Sequence, residues 1–285
     1  MKMAGFTIVH PVPGGGPASS AWLPSTLENF TQLLDSAADA GIYVMYDTRH
    51  TYLSPPDLAA QIKLFRSHPA LLLWYSSDEP DGPGHSASSP GSHTDSVVKA
   101  YDLINELDGY HPVSITPNCA NYFLPQYASG ADIIIPDVYP IGLNSTSWSS
   151  VYNTPCNATY GCCGCDLCNG EVEDVGRRIQ NLKSILRWKG MRKEFWGVVQ
   201  AFGGEGEFWE RMPRKEEVIR MGEQVAREGG RGILFWDEKG RRGRMWKGVW
   251  DGAKEVAKKG RDGWGYEIDV EIDLGGDIVS LRDEL

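Results

Sequence analysis

Two adjacent carboxylates, Asp78 and Glu79, follow a short apolar and aromatic run at residues 71–75 after two serines, and they precede Pro80. A run of this length between a His-Pro pair and a Pro-Asp-Gly turn predicts a buried strand rather than a helix. Carboxylates beside an apolar layer lose hydration, which costs free energy. A chain that tolerates this cost usually uses the carboxylates for function. Burial and the neighbouring Asp78 would raise the pKa of Glu79, as a proton donor at neutral pH requires. We therefore predict that Glu79 is a general acid; the alternative is a carboxylate that caps the next helix or pairs with an arginine.

Polar and aromatic side chains also follow the other strand-like runs. Besides Asp78 and Glu79, these residues are His10, Asp47, Arg49, Asn118, Asp137, Tyr139, Gln200, Phe202, Trp236 and Asp237. The strands of a parallel barrel end at one mouth, so we expect these side chains to surround Glu79. Carboxylates and amides bind hydroxyl groups and aromatic rings stack on sugars, so this rim suits an oligo- or polysaccharide. Glycosidic bond cleavage needs two carboxyl groups. We expect Asp78, Glu79 and Asp137 to be catalytic and the other residues to bind substrate.

Seven strand-like segments alternate with helix-like segments. The predicted strands cover residues 5–12, 42–47, 71–79, 112–116, 132–138, 194–202 and 232–237, and the predicted helices cover 26–40, 56–66, 94–107, 122–129, 171–188, 214–228 and 246–258. Strict alternation indicates a parallel sheet covered by helices. No glycine-rich turn opens a helix after the first strand, which favours an α/β (β/α)₈ TIM barrel over a doubly wound sheet. We expect the first β/α unit to precede residue 1, or another segment to close the barrel.

Residues 143–170 form an insertion that is rich in cysteine. The six cysteines of the chain are Cys119, Cys156, Cys162, Cys163, Cys165 and Cys168. Two Cys-x-x-Cys pairs share Cys165, whereas a four-cysteine zinc site normally uses two separate pairs. The even count therefore favours a disulfide-rich loop and no metal.

Three glycosylation sequons, at Asn29, Asn144 and Asn157, indicate a secreted glycoprotein. The N-terminal residues do not resemble a signal peptide, so we expect the chain to begin inside the domain. A weaker alternative is retention in the endoplasmic reticulum through the final Arg-Asp-Glu-Leu. We expect a barrel domain at residues 1–260 and an acidic strand or tail at 261–285.

Composition limits the other functions of the chain. The net charge is −10, and the basic residues near the C-terminus alternate with acidic ones at helical spacing, so we expect no nucleic-acid partner. There is no apolar run of 18 residues, and we expect no membrane partner. The predicted strand-end rim contains no Ser/His/Asp set and no glycine-rich phosphate loop of the usual kind. We expect no cofactor and a monomer.

The motif His68-Pro69 to Trp74-Tyr75 to Asp78-Glu79-Pro80 resembles clan A glycoside hydrolases, and most closely uncharacterised fungal and bacterial hydrolase-like barrels. Further similar motifs are Pro136 to Pro140, Gln200 to Gly203 and Arg211 to Pro213. The resemblance implies that residues 5–12 form the second barrel strand. It also implies that Glu79 ends the fourth strand as the acid/base of a glycosidase.

Two positions depart from the clan pattern. Gln200 stands where the clan has its glutamate nucleophile, and Asp78 stands where the clan usually has asparagine. Three outcomes remain open. Asp137, Glu205 or Asp237 supplies the second carboxylate, or the enzyme inverts with a more distant base, or a substrate acetamido group attacks while Asp78 orients it. The alternatives to a glycosidase are a catalytically inactive carbohydrate-binding barrel or a truncated inactive product, and, less favoured, another barrel lyase or hydrolase.

Overall fold

Strands and helices alternate along the chain as the sequence predicts. The computed structural model describes residues 4–12, 24–80, 93–117, 123–142, 169–204, 209–236 and 247–264. Its strands are β1 (Ile8–Val9), β2 (Tyr43–Asp47), β3 (Leu71–Asp78), β4 (Val113–Thr116), β5 (Ile133–Ile134), β6 (Asp137–Val138), β7 (Glu194–Gln200) and β8 (Gly232–Trp236). Its helices are α1 (Pro24–Ala40), α2 (Pro55–Phe65), α3 (Thr94–Leu107), α4 (Leu124–Ala128), α5 (Asp174–Trp188), α6 (Lys215–Arg227) and α7 (Lys247–Asp262). The predicted α/β class is confirmed.

All strand pairs are parallel. Strands β1 to β5 pair in chain order, β5 and β6 both pair with β7, and β8 pairs with β7 as well. Among the described residues, β1 pairs only with β2 and β8 only with β7. The structure is thus a curled parallel half-barrel, consistent with a partial TIM barrel, and the missing first unit stays a prediction.

One predicted strand is divided in two. The sequence predicts a single strand over residues 132–138, but Pro136 separates β5 from β6. Proline has no backbone N–H to give to a sheet ladder. Its carbonyl oxygen still accepts a hydrogen bond from the Val198 N–H at 3.0 Å, so the chain keeps its place beside β7. Asp137 therefore begins a fresh two-residue strand at the end of the sheet.

Apolar side chains fill both faces of the sheet. The outer layer, between sheet and helices, includes Val44, Trp74, Ile134 and Val199. The inner face has its own cluster, formed by Met45, Leu73, Tyr75, Ile133, Ile135, Tyr139 and Val198. Met45 of β2 and Val198 of β7 belong to this one cluster, although four strand positions separate β2 from β7 in the pairing order. Curling brings the ends of distant strands together.

Strand β3 lies in the middle of this arrangement. Trp74 is fully buried in the outer layer, and its indole N–H donates to the Asp108 carboxylate at 2.6 Å. Buried tryptophans usually find such a partner for the indole nitrogen. Parallel ladders to β2 and β4 hold the strand on both sides. The end of β3 is therefore a well-supported position for the two carboxylates.

Several predictions fall outside the described residues. They include the disulfide-rich insertion up to Cys168 and the acidic tail beyond Trp264. Among the helices that the structure describes, none is both long and apolar enough to span a membrane.

Candidate functional site

The end of β3 departs from regular strand geometry at two places. The ladder to β4 shifts register between Tyr75 and Ser77, so two residues of β3 stand opposite one step of β4. Such a bulge changes which face the following side chains point to. Asp78 consequently reaches Tyr75, whose hydroxyl donates to its carboxylate. In a regular strand these two residues, three apart, would point to opposite faces.

Glu79 follows with a left-handed backbone. Its φ is +42°, and among the described residues it is the one non-glycine residue with a positive φ. This conformation costs an L-residue roughly 1–2 kcal/mol. The Glu79 N–H donates to the Thr116 carbonyl oxygen at 2.9 Å, which ties the turn to β4. Backbone strain of this kind concentrates at functional sites, where surrounding structure maintains it.

The carboxyl groups of Glu79 and Asp137 bind each other. They form a side-chain hydrogen bond between the end of β3 and the start of β6. Burial, and then the charges of Glu79 and Asp78, raise the pKa of Asp137 well above its usual range. Two carboxyl groups in contact cannot readily both ionise, so Asp137 keeps its proton to a higher pH than an isolated carboxyl group does. This contact is shorter than the separations of about 5–5.5 Å and about 6.5–9.5 Å that are typical of retaining and inverting glycosidases.

A buried ion network lies beside this pair. The Arg49 Nε donates to Asp47 Oδ2 at 2.7 Å, and another guanidinium nitrogen binds Asp78. His10 Nε2 lies 2.8 Å from the same Asp47 oxygen. Burial alone would raise the pKa of Asp47, but the hydrogen bond with His10 and the charge of Arg49 lower it below its usual value. The network therefore keeps Asp47 ionised and Arg49 fixed in place.

Aromatic rings form a wall next to the carboxylates. Tyr139 and Phe202 pack edge to face at 4.9 Å, and Phe202 and Trp209 do so at 4.8 Å. The Trp209 indole N–H donates to the Tyr139 carbonyl oxygen at 2.8 Å. Burial, followed by the charges of Asp137, Glu79 and Asp78, raises the pKa of Tyr139 well above its usual range, so its hydroxyl stays protonated.

Gln200 is fully buried at the end of β7, and backbone groups occupy its amide. Its Oε1 accepts the Ile141 N–H at 2.8 Å, while its Nε2 donates to the carbonyl oxygens of Ile141 at 3.0 Å and Phe202 at 3.1 Å. These bonds hold the loop after β6 against the end of β7. Gln200 thus anchors the backbone on both sides of the aromatic wall.

The structure brings most of the predicted residues to one mouth. His10, Asp47, Arg49 and Asp78 form the ion network, and Glu79, Asp137 and Tyr139 lie beside it. Phe202 packs on Tyr139, and Trp236 ends β8 with 36% of its surface exposed. Asn118, Glu205 and Asp237 lie outside the described residues. In the part of the chain that the structure covers, no group of three or more His, Cys, Asp or Glu side chains is arranged to hold a metal ion.

Sequence reasoning assigned no site role to Tyr75 and did not consider Trp209. Tyr75 lies inside an apolar run and reads as core, and only the register shift in β3 shows that its hydroxyl serves Asp78. Trp209 lies in a loop whose sequence has no periodic pattern. The one sequence signal for a site role of Trp209 is that it is an aromatic residue a few positions after the predicted strand end at Phe202.

Comparison with known proteins identifies the fold. No protein-family model matches the chain, and no curated protein does. Solved structures of glycoside hydrolases do match. A β-galactosidase from the psychrophilic Marinomonas ef1 superposes with a TM-score of 0.61 at 12% identity, covering 92% of this chain and 56% of that one. A β-galactosidase from the Antarctic haloarchaeon Halorubrum lacusprofundi gives 0.61 at 13%, covering 92% and 55%. A GH5 family lichenase from Caldicellulosiruptor sp. F32 gives 0.56 at 14%, covering 91% and 82%.

These similarities concern the fold. At identities of 12–14% they show that this chain has the curled parallel architecture of glycoside hydrolase domains. The chain spans about half the length of the two β-galactosidases, 56% and 55%. What the site can do follows from its own chemistry. It combines a hydrogen-bonded carboxyl pair, an ionised Asp47 held by the partly buried Arg49, and aromatic rings.

Proposed function

We propose that this protein is a glycoside hydrolase that cleaves O-glycosidic bonds, with Glu79 as the proton donor. The observation that carries the proposal is the hydrogen-bonded pair of Glu79 and Asp137 at the mouth of a glycosidase-like fold. A glycosidic oxygen is a poor leaving group until it is protonated, and a carboxyl group that is hydrogen-bonded to a second carboxyl group, as Glu79 is to Asp137, can supply that proton. The proton that Glu79 gives to the leaving group is replaced by the one released from the attacking water, and Asp137, in contact with Glu79, can accept it and so restore the pair.

Asp78 is the anion beside the reacting carbon in this proposal. It is the carboxylate that Arg49 and Tyr75 hold in one orientation. The Gln200 amide at the end of β7 is neutral and occupied by backbone, which leaves no carboxylate at that position. An ionised Asp78 can stabilise the positive charge that develops on the sugar ring, or orient an acetamido group of the substrate as the nucleophile. The second role makes acetamido sugars the preferred substrates to test.

The aromatic wall supplies the carbohydrate-binding surface. Trp236 is partly exposed at the end of β8 and presents a face for stacking. Tyr139 and Phe202 line the mouth on the side of β6 and β7. We assign an oligo- or polysaccharide as the partner because the aromatic wall lies directly beside the carboxylates at the mouth. We also propose that the protein is secreted and carries the expected disulfides. Thiol titration of the denatured, unreduced protein tests this, and several free thiols would argue against the disulfides.

Hydrolysis of a panel of aryl glycosides, with and without an acetamido group, tests the function. Wild type should cleave at least one member, and Glu79→Gln should lose a factor on the order of 10²–10⁴ in kcat. Glu106→Gln makes the same change on an exposed position of α3 and should leave the rate unchanged. If wild type binds sugars but cleaves none, the protein is a carbohydrate-binding barrel and the enzymatic proposal is wrong.

A further inference from the structure

Arg49 binds two carboxylates on different strands. Its Nε and its backbone N–H donate to the two oxygens of Asp47 at 2.7 and 2.8 Å, and its other guanidinium contact is Asp78. Asp47 is 6% exposed, and His10 Nε2 lies 2.8 Å from the same Asp47 oxygen that the Arg49 Nε binds. The guanidinium carbon lies 5.3 Å from the centre of the Tyr75 ring. Arginine presents its donors in a rigid planar fork, so fixing one side fixes the other.

Asp78 consequently has a donor on each oxygen. Arg49 binds Oδ2 and the Tyr75 hydroxyl binds Oδ1. Hydrogen bonds to the charged form of a carboxylate and a cation in contact both favour that form. Burial and the charge of Asp78 raise the pKa of Tyr75 well above its usual range, so the phenol remains a donor. Asp78 is thus bound by Arg49 and Tyr75, whereas the side chains of Glu79 and Asp137 hydrogen-bond to each other.

We propose that Arg49 is a positioning residue that, braced by Asp47 and His10, confines the single proton of the three-carboxyl cluster to Glu79 and Asp137. The inference rests on the proposed role of Glu79 as proton donor and explains how that proton is kept available. Three carboxyl groups close together can distribute one proton in three ways. The proton can lie on Glu79, on Asp137 or on Asp78. The first two distributions leave Asp78 ionised and are productive, since Glu79 holds the proton or can receive it from Asp137.

The groups that face Asp78 are few. Tyr75 and Glu79 come from β3 and its end, Asp137 and Tyr139 come from β6 and the residue after it, and Arg49 comes from the turn after β2. Both tyrosines are neutral, because their pKa values are raised, mainly by burial. Arg49 is the cation in contact with Asp78 within the described part of the chain. Its removal should let a second proton enter the cluster.

Carbon NMR titration of the carboxyl groups tests this without any turnover. The protein is labelled at Asp and Glu carboxyl carbons, and the three signals are assigned with Asp78→Asn, Glu79→Gln and Asp137→Asn. In wild type, one proton should be shared between Glu79 and Asp137 near neutral pH, and Asp78 should have the carboxylate shift. In Arg49→Met, the pH at which the cluster takes up a second proton should rise by about 1–3 units.

Two further variants complete the design. Arg187→Met makes the same change at an exposed position of α5 and should titrate as wild type does. Arg49→Lys keeps the charge but lacks the fork, and it should move the titration in the same direction by less. It also serves if Arg49→Met fails to fold. Unchanged titration of the cluster in both Arg49 variants would overturn the proposal, as would a wild-type proton that resides on Asp78.

The two proposals fail in different ways. If wild type hydrolyses glycosides and the Arg49 variants leave the carboxyl titration unchanged, the role of Arg49 is wrong and the glycosidase remains. If no glycoside is cleaved but the second proton enters in Arg49→Met as expected, proton confinement is supported and the enzymatic function is wrong. With both correct, Arg49→Met should lower kcat more than it raises KM and should shift the pH profile of kcat.

Discussion

Gln200→Glu replaces the buried amide at the end of β7 by a carboxyl group, so it separates an anchoring role from a catalytic one. The Gln200 Nε2 donates to two carbonyl oxygens, at 3.0 and 3.1 Å. A carboxylate oxygen at that position would face both of them with no hydrogen to donate. The other side-chain oxygen would keep the Ile141 N–H. We expect the charged form of the new side chain to be disfavoured in the folded protein.

The size of the effect follows from burial and the lost bonds. A fully buried carboxyl group without a cation typically shows a pKa raised by about 2–3 units or more, and each unit corresponds to about 1.4 kcal/mol. The pH-dependent part of the loss is therefore about 3–4 kcal/mol at neutral pH. One of the two lost N–H donations can be replaced by the protonated carboxyl group, so about 1 kcal/mol should remain at low pH.

The sign of the pH dependence is fixed by linkage. The folded pKa of the new carboxyl group is raised above its unfolded value of about 4.3, so the folded state binds the proton more tightly. Relative to wild type, the variant is least destabilised below that value. The penalty grows as the pH rises through the raised folded pKa and then levels off.

Urea denaturation of wild type and variant at several pH values between about 4 and 8 measures this difference. Gln32→Glu makes the same substitution on an exposed position of α1 and should show almost no pH-dependent difference. We expect no gain of glycosidase activity from Gln200→Glu. Full stability of the variant at neutral pH, or new hydrolytic activity, would refute the view that Gln200 is a backbone anchor.

Two other predictions concern the carboxyl cluster. Asp137→Asn should lower activity. It should also gain stability relative to wild type as the pH rises above about 4, because the raised folded pKa of Asp137 makes the wild-type protein lose stability in that direction. Denaturation of both proteins at several pH values checks this, and a pH-independent difference in stability would contradict it. Glu79→Asn should abolish activity yet be more stable than Glu79→Gln by up to about 1 kcal/mol, because asparagine tolerates the left-handed backbone at φ +42° better; thermal unfolding of the two neutral variants makes the comparison, and equal stability would show that the strain is absent.

The sequence carries enough local information to predict the fold class and many elements. Helix α3 occupies its predicted range of residues 94–107, since its apolar face and polar start are both clear in the sequence. The break at Pro136 was missed, because the three isoleucines before it and the valine after it look like one apolar strand. A proline inside a strand-like run argues for a break, and that signal outweighs the hydrophobic pattern here.

The candidate site is predictable only in part. Asp78 and Glu79 stand out because two carboxylates end an apolar strand, which is visible locally. Glu79 and Asp137 lie 58 residues apart in the sequence, so their contact depends on the curl of the sheet. The role of Gln200 depends on carbonyl groups of Ile141 and Phe202, and backbone groups leave no sequence signal. Likewise, the Tyr75 hydroxyl reaches Asp78 only through a register shift.

The most direct test of the central claim is the leaving-group dependence of Glu79→Gln. Protonation matters most for glycosides with basic leaving groups and little for activated dinitrophenyl glycosides. The rate ratio of wild type to Glu79→Gln, measured as kcat/KM, should therefore be on the order of 10²–10⁴ for alkyl glycosides or oligosaccharides and should approach one for the dinitrophenyl substrate. An equal ratio for every leaving group would show that Glu79 is not the proton donor.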